Sequence, residues 1–262
     1  MENPVLRIGR LVTGYAAGRH RTVIAQGLSA SLAEASVTAL IGPNGAGKST
    51  LLRTVASLQP ALGGDISWLG RPLADYSVRE LARVIAVVLT TRPAAEGLTA
   101  RQVVELGRLP YTGFGGRLTE KDHAVVDDVM SLTETAAFAP RPLASLSDGE
   151  RQRVMIAKAL AQQTPAILLD EPTAFLDFPG KVGLLRLLCD LAQRCGKTIL
   201  LSTHDLELTF QMVGRLWLLS SEGIIEGTPR ELAGNGSLGH FFTAPGVSFD
   251  AAALKFSVSA TS

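Results

Sequence analysis

The amino-acid sequence predicts an α/β fold in a single domain over residues 1–262. It has a core of mostly parallel sheet, an antiparallel β subdomain at the N-terminus, and an α-helical subdomain inserted over about residues 93–164. Three observations predict this arrangement. Apolar, strand-like runs stop abruptly in polar residues, the opening segment is rich in short β-like runs, and a long middle stretch carries helical periodicity instead.

The opening runs lie around Val5 to Val12 and Val23 to Leu32, with Gly14 and Gly18 as turn signals between them, which reads as an antiparallel sheet. Four apolar runs follow: VTALIGPNGAGKST at Val37 to Thr50, VIAVVLTTR at Val84 to Arg92, AILLDEP at Ala166 to Pro172, and TILLSTHD at Thr198 to Asp205. Runs this apolar suit strands buried on both faces, hence a parallel sheet covered by helices. Ligands of open α/β sheets bind beyond the carboxyl ends of the strands. Lys48, Thr90, Asp170, Glu171 and His204 all stand at such ends, so the pattern predicts that they meet at one rim. Candidate helices at Thr99 to Leu109 and Glu120 to Thr135, separated by the Gly-rich stretch Gly113 to Gly116, make up the insertion. The tail beyond Gly234 carries no assignable pattern, and no internal repeat is visible.

Hydrophobic residues make up 46% of the chain, ample for a well-filled core. Cys189 and Cys195 lie in a predicted helical stretch without Cys or His partners at metal-ligand spacing, so packing in a reducing compartment is their expected role. Met1 to Arg10 lacks a basic region followed by an apolar stretch, so a secretory signal is not expected and a cytoplasmic location is. Runs such as Val84 to Leu89 are far shorter than the roughly 20 residues that cross a bilayer. With 25 basic against 24 acidic residues and no long blocks of either sign, the charge pattern gives no support to a nucleic-acid partner.

GPNGAGKST fits the phosphate-binding pattern of four variable residues between glycines followed by Gly-Lys-Ser. Gly42, Pro43, Asn44, Gly45, Ala46 and Gly47 form a loop whose backbone N–H groups can close around phosphate oxygens, and the next helix presents its positive end. In that geometry Lys48 contacts the β and γ phosphates, Ser49 ligates Mg²⁺, and Thr50 completes the loop. ILLDEP supplies Asp170 to the shell of Mg²⁺ and Glu171 to polarise an attacking water. An Asp-Glu pair after an apolar run is equally a commonplace strand-to-loop junction; the phosphate loop upstream is what turns it toward chemistry. His204 ends the next run, where an imidazole can bond a γ-phosphate oxygen, although a solvated His is common there too. In SLSDGERQR, Ser147 and Glu150 form a capping box before an amphipathic stretch at Arg151 to Gln162. That is either a well-capped helix or a second anion site.

These motifs in this order resemble the ATP-binding subunits of ABC transporters over nearly the whole chain. GPNGAGKST stands for Walker A, ILLDEP for Walker B, LSDGE for the LSGGQ signature, His204 for the switch histidine, and FLD at Phe175 to Asp177 for the D-loop. The resemblance implies a P-loop ATPase that uses ATP and Mg²⁺, with Tyr15 stacked on adenine. It implies a head-to-tail homodimer in which ATP at Lys48 of one copy is covered by Ser147, Gly149 and Glu150 of the other. The implied partners are integral membrane permease subunits and, indirectly, an external substrate-binding protein, with the ATPase peripheral on the cytoplasmic face of the inner membrane.

Within the family, GRLPYTGFGGRLTEKD, with Gly107, Arg108, Pro110 and Asp122, and EGTPREL at Glu226 to Leu232 are similar to importers of iron-siderophore complexes, haem and vitamin B12. A soluble ABC ATPase that remodels a protein partner is the other reading. A chromosome-organising ATPase would need a long coiled-coil insertion, which the sequence lacks. Two departures stand out. Thr90 occupies the place of the family's Gln at Mg²⁺, where a shorter hydroxyl would act through a bridging water. Asp148 and Glu150 bring negative charge toward a phosphate site, which weakens closure unless Arg151 or Arg153 compensates.

Overall fold

The chain opens with two long antiparallel strands, β1 (Leu6–Ala17) and β2 (His20–Leu32), in a computed structural model that describes residues 4–18, 20–90, 97–113, 115–243 and 245–258. Gly18 turns the chain between them with a positive φ of 58°, as expected. Gly14 does not turn it. It lies inside β1 opposite Val23, where a Cβ would meet the Thr22 carbonyl oxygen at 2.0 Å, so close backbone approach is what demands glycine there.

The next strand, β3 (Val37–Ile41), belongs to a different sheet and leads into α1 (Lys48–Val55). The strands β4 (Gly63–Trp68) and β5 (Arg71–Pro72) then return to the first sheet, in the order β2-β1-β4-β5. After the short helix α2 (Val78–Leu81), the second sheet is built by β6 (Ile85–Val88), β7 (Ala166–Leu169), β8 (Thr198–Ser202), β9 (Arg215–Ser220) and β10 (Gly223–Gly227). Its order is β10-β9-β3-β8-β7-β6, with β3 and β6 to β9 parallel and β10 antiparallel at the edge. The four predicted runs are thus neighbours, and their carboxyl ends line one rim. The fifth parallel strand, β9, was not anticipated. Thr91 and Arg92, the polar end of the second run, lie outside the described residues.

Every residue of β3, β7 and β8 is buried, as strands covered on both sides must be. Alternation then divides the core into two layers. Val37, Ala39, Ile167, Leu169, Ile199 and Leu201 face the helices on one side. Leu40, Leu168 and Leu200 face α1 and the antiparallel sheet on the other, with Leu6, Leu28 and Trp68.

The helical insertion consists of α3 (Ala100–Glu105), α4 (Glu120–Leu132) and α5 (Asp148–Ala161), packed through Val103, Val104, Val126, Met130, Val154 and Ala157. Its expected opening, residues 93–96, lies outside the described residues, as does Phe114 in the Gly-rich stretch. The first predicted helix is shorter than expected: α3 stops at Glu105 and continues as a 3₁₀ segment through Tyr111, because Pro110 cannot extend an α-helix. Arg108, buried, ties the insertion together. Its Nε donates to Asp122 Oδ1 at 2.9 Å and its Nη1 to the Ala161 carbonyl at 2.6 Å, at the far end of α5. The Thr119 hydroxyl and N–H, with Arg108, hold the Asp122 carboxyl down at about 2.

Downstream, α6 (Phe178–Cys195) carries both free cysteines and α7 (Leu206–Met212) follows β8. The unassigned tail folds as α8 (Pro229–Gly234), α9 (Ser237–Phe241) and a hairpin of β11 (Val247–Asp250) and β12 (Lys255–Val258). Phe249 and Phe256 of the hairpin pack against Phe210 of α7.

Candidate functional site

At the carboxyl end of β3 the chain turns through the glycine loop, and two glycines there are enforced by space. A Cβ on Gly42 would stand 2.5 Å from the Leu219 carbonyl oxygen of β9, and one on Gly47 would stand 2.7 Å from Ile24 Cγ2. Gly47, at φ 94°, is the N-cap of α1 and offers no side-chain cap, so the first N–H groups of α1 are left for a ligand. The Ala46 N–H donates back to the Pro43 carbonyl at 3.2 Å and keeps the loop tight.

Lys48 is buried, and its ammonium donates to the carbonyls of Gly42 at 2.8 Å and Pro43 at 3.2 Å. Burial lowers its pKa, and the charges of Glu171 and Asp170 act against that. Two neutral carbonyls are weak partners for a buried ammonium, so an anionic oxygen arriving beside it gains a strong, charge-assisted bond.

Ser49 Oγ donates to Asp170 Oδ1 at 2.9 Å, and Ser202 Oγ donates to the same oxygen at 2.8 Å. The Thr90 hydroxyl donates to the main-chain carbonyl of Asp170 at 2.9 Å. Glu171 sits in the left-handed region, φ 49°, and its N–H is held by Ser202 Oγ at 2.8 Å. Its Oε1 lies 2.9 Å from His204 Nε2. Tyr15 Oη and Thr50 Oγ1 are 3.2 Å apart at the outer edge. A cavity of about 310 Å³ results, lined among others by Tyr15, Asn44, Lys48, Ser49, Glu171 and His204. The predicted rim is therefore real: Asp170 stands directly behind Ser49, and Thr90 behind Asp170. Ser202 escaped the sequence reading, although its place as the last residue of β8, just before Thr203 and His204, was a usable signal.

Ser147, Gly149 and Glu150 do not line this cavity. They open α5, where Ser147 and Glu150 exchange the expected capping-box bonds and Gly149 lies against Leu176 of the FLD segment. Asp148 pairs with Arg151 at 2.6 Å, one of the two compensating arginines expected from the sequence. Arg153 is not the other: its guanidinium is engaged by Glu134 and accommodated beside Gly183 of α6. Arg141 takes that place, 3.2 Å from Glu150 Oε1. The Ser147 N–H, above all, and Arg141 hold the Glu150 carboxyl below its ordinary range.

A glycine loop over a helix N-terminus, a buried lysine, and a carboxylate pair at the end of β7 define a phosphate-loop nucleotide-binding domain. Comparison with known proteins narrows the class. The ABC transporter family matches residues 25–174. The hemin import ATP-binding protein of Streptomyces coelicolor is 40% identical over 223 residues, 85% of this chain and 79% of its own length. The achromobactin transport ATP-binding protein of Dickeya dadantii is 39% identical, over 85% of this chain and 81% of its own. Among solved structures, an inward-facing transporter assigned to the metal-chelate type superposes with a TM-score of 0.78 at 27% identity, covering 92% of this chain and 89% of its own. A dimeric cassette bound to ADP and Pi gives 0.75 at 26%, covering 85% and 98%. The chain belongs to the ABC transporter family as an ATP-binding, ATP-hydrolysing subunit.

Proposed function

We propose that this chain powers an importer of an iron-chelate, haem or cobalamin-type substrate, working as a head-to-tail pair beneath partner membrane subunits at the cytoplasmic face. The observation that carries the reading is a separation. Lys48, Ser49, Glu171 and His204 gather on one cavity, while Ser147 and Gly149 stand outside its lining at the opening of α5. A second copy, turned end to end, would bring its own α5 N-terminus over the open side and enclose the γ-phosphate from both directions.

Phe175 and Phe178 support this pairing. They flank Asp177 with 70% and 69% of their surfaces exposed, an unusual state for two aromatic rings so close together. The cargo class follows from the hemin and achromobactin relatives and from a third, the iron(3+)-hydroxamate import ATP-binding protein of Bacillus subtilis, 37% identical over 80% of this chain. A peripheral position is supported by the helices: among the described residues none is long and apolar enough to cross a membrane.

The residues present fit Mg²⁺. Ser49 and Asp170 offer a hydroxyl and a carboxylate oxygen side by side, hard donors of the kind that bind this ion together with phosphate oxygens, and Ser202 keeps Asp170 in orientation. Magnesium would supply charge neutralisation at the phosphates. Thr90, whose proton is committed to the Asp170 carbonyl, would act through a bridging water. Lys48 binds the β and γ oxygens, Glu171 orients and polarises the attacking water, and His204 bonds a γ oxygen while holding Glu171.

The test is co-purification. Expressed with a candidate permease, the tagged chain should leave the membrane as a complex whose ATPase rate responds to the loaded external binding protein. A chain that recovers only soluble partners and hydrolyses ATP identically with or without the permease belongs to the remodelling class instead.

A further inference from the structure

Asp205 opens α7 at the position where a side-chain oxygen usually caps a helix, yet its carboxylate makes no capping bond. It reaches sideways instead. Oδ2 accepts from the Thr173 hydroxyl at 2.6 Å, and Oδ1 accepts from Lys181 Nζ at 2.6 Å. The Asp205 N–H is fixed by Thr203 Oγ1 at 3.0 Å. Thr173 is 2% exposed, and the side chains of Lys181 and Asp205 are only 24% and 25% exposed, so these charge-assisted bonds are sheltered from competing water.

Both segments that carry the hydrolytic chemistry are joined by this carboxylate. Residues 170–173 and 202–205 run side by side with four hydrogen bonds between them. Ser202 holds the Asp170 carboxylate and the Glu171 N–H, His204 meets Glu171, and Asp205 meets Thr173. Glu171 is the residue in the left-handed region, a conformation that persists only where its surroundings enforce it. Lys181 extends the ladder into α6, one turn after the N-cap Asp177 that ends the FLD segment.

We propose that Asp205 is a positioning residue for hydrolysis. By gripping Thr173 and Lys181 at once, it sets the separation of Glu171 and His204 and couples it to the Phe175–Asp177 segment, so that a second copy pressing on that segment adjusts the hydrolytic pair. This rests on the reading of Glu171 and His204 as that pair.

Steady-state ATPase assays of the full chain, equilibrium binding of a non-hydrolysable ATP analogue, and thermal midpoints test it with Asp205→Asn, Lys181→Met, Thr173→Val and Thr173→Ser. Loss of one charge-assisted positioning bond is expected to lower kcat about tenfold in Asp205→Asn and Thr173→Val, and about threefold in Lys181→Met. KM and analogue affinity should stay within about twofold, because Lys48 and the glycine loop are untouched. Thr173→Ser keeps the hydroxyl and should recover most of the wild-type rate. Wild-type turnover in Asp205→Asn overturns the proposal. So does a fall in kcat matched by equal losses of affinity and thermal midpoint with Thr173→Ser no better than Thr173→Val, the pattern of a simple brace. Should Glu171→Gln turn over like wild type, the reading of the site itself fails and the proposal with it.

Discussion

The phosphate loop and the opening of α5 are both helix N-termini, yet they are finished in opposite ways. At the loop, glycines too crowded to carry a Cβ leave the N–H groups bare, and a buried lysine waits on two neutral carbonyls. At α5, a capping box already uses the Glu150 N–H, and two carboxylates stand in the first turn, each held by its own arginine. The first end is prepared for a ligand before the ligand arrives. The second is satisfied within its own chain, by its capping box and two arginines, before any ligand arrives.

The largest expected effect tests the side that is ready for its ligand. Glu171→Gln should bind ATP with near-normal affinity while turnover falls by about 10²- to 10³-fold, the scale on which a single polarising group acts. Normal turnover in a single-site assay would move the chemistry elsewhere.

A second variant loosens the opposite side from its far end. Asp122→Ala leaves Arg108 buried without its carboxylate, which should destabilise the protein by about 3 kcal/mol in denaturant titration and disturb α5 before it disturbs the loop. Because the folded carboxyl sits at about 2, below its ordinary 3.8, the contribution of Asp122 is complete above pH 3.8 and fades as the pH drops toward 2. Wild type should therefore lose more stability than the variant across that window. Equal acid sensitivity would mean that Asp122 is not the group responsible.

The smallest effect bears on the comparison itself. Asp148→Gly with Glu150→Gln, made in the Glu171→Gln background, keeps the capping box through Gln and removes two negative charges from the opening of α5. ATP-dependent dimerisation followed by light scattering should tighten about tenfold. No change would show that Arg141 and Arg151 already cancel those charges.

The loop, Asp170, Glu171 and His204 were legible in the sequence because each ends an apolar run, and such runs have one sensible location in an α/β protein. β9 was not, since RLWLLS ends in Ser-Ser-Glu-Gly with no chemistry to draw attention to it. The terminal hairpin does alternate, as VSFD and KFSV, but over only four residues in each strand, too few to stand out from the flanking Ala- and Ser-rich sequence. Gly14 was misread because a glycine required by close backbone approach looks the same in sequence as one required by a turn. Arg141 and Lys181 escaped because their partners are chosen by three-dimensional neighbours. Of the alternatives Arg151 and Arg153 it is Arg151 that compensates, because Glu134, in the turn after α4, engages Arg153.

The twisted backbone at Glu171 limits which replacements the enzyme can tolerate there. A side chain branched at Cβ is sterically unwelcome at φ 49°, so valine or isoleucine would remove the carboxylate and also misshape the turn that carries it. Asparagine and glycine accept that torsion with ease. Dead but correctly folded copies of this ATPase are therefore most readily reached through those two residues, and a scan of all nineteen alternatives for soluble, nucleotide-retaining protein should rank them first.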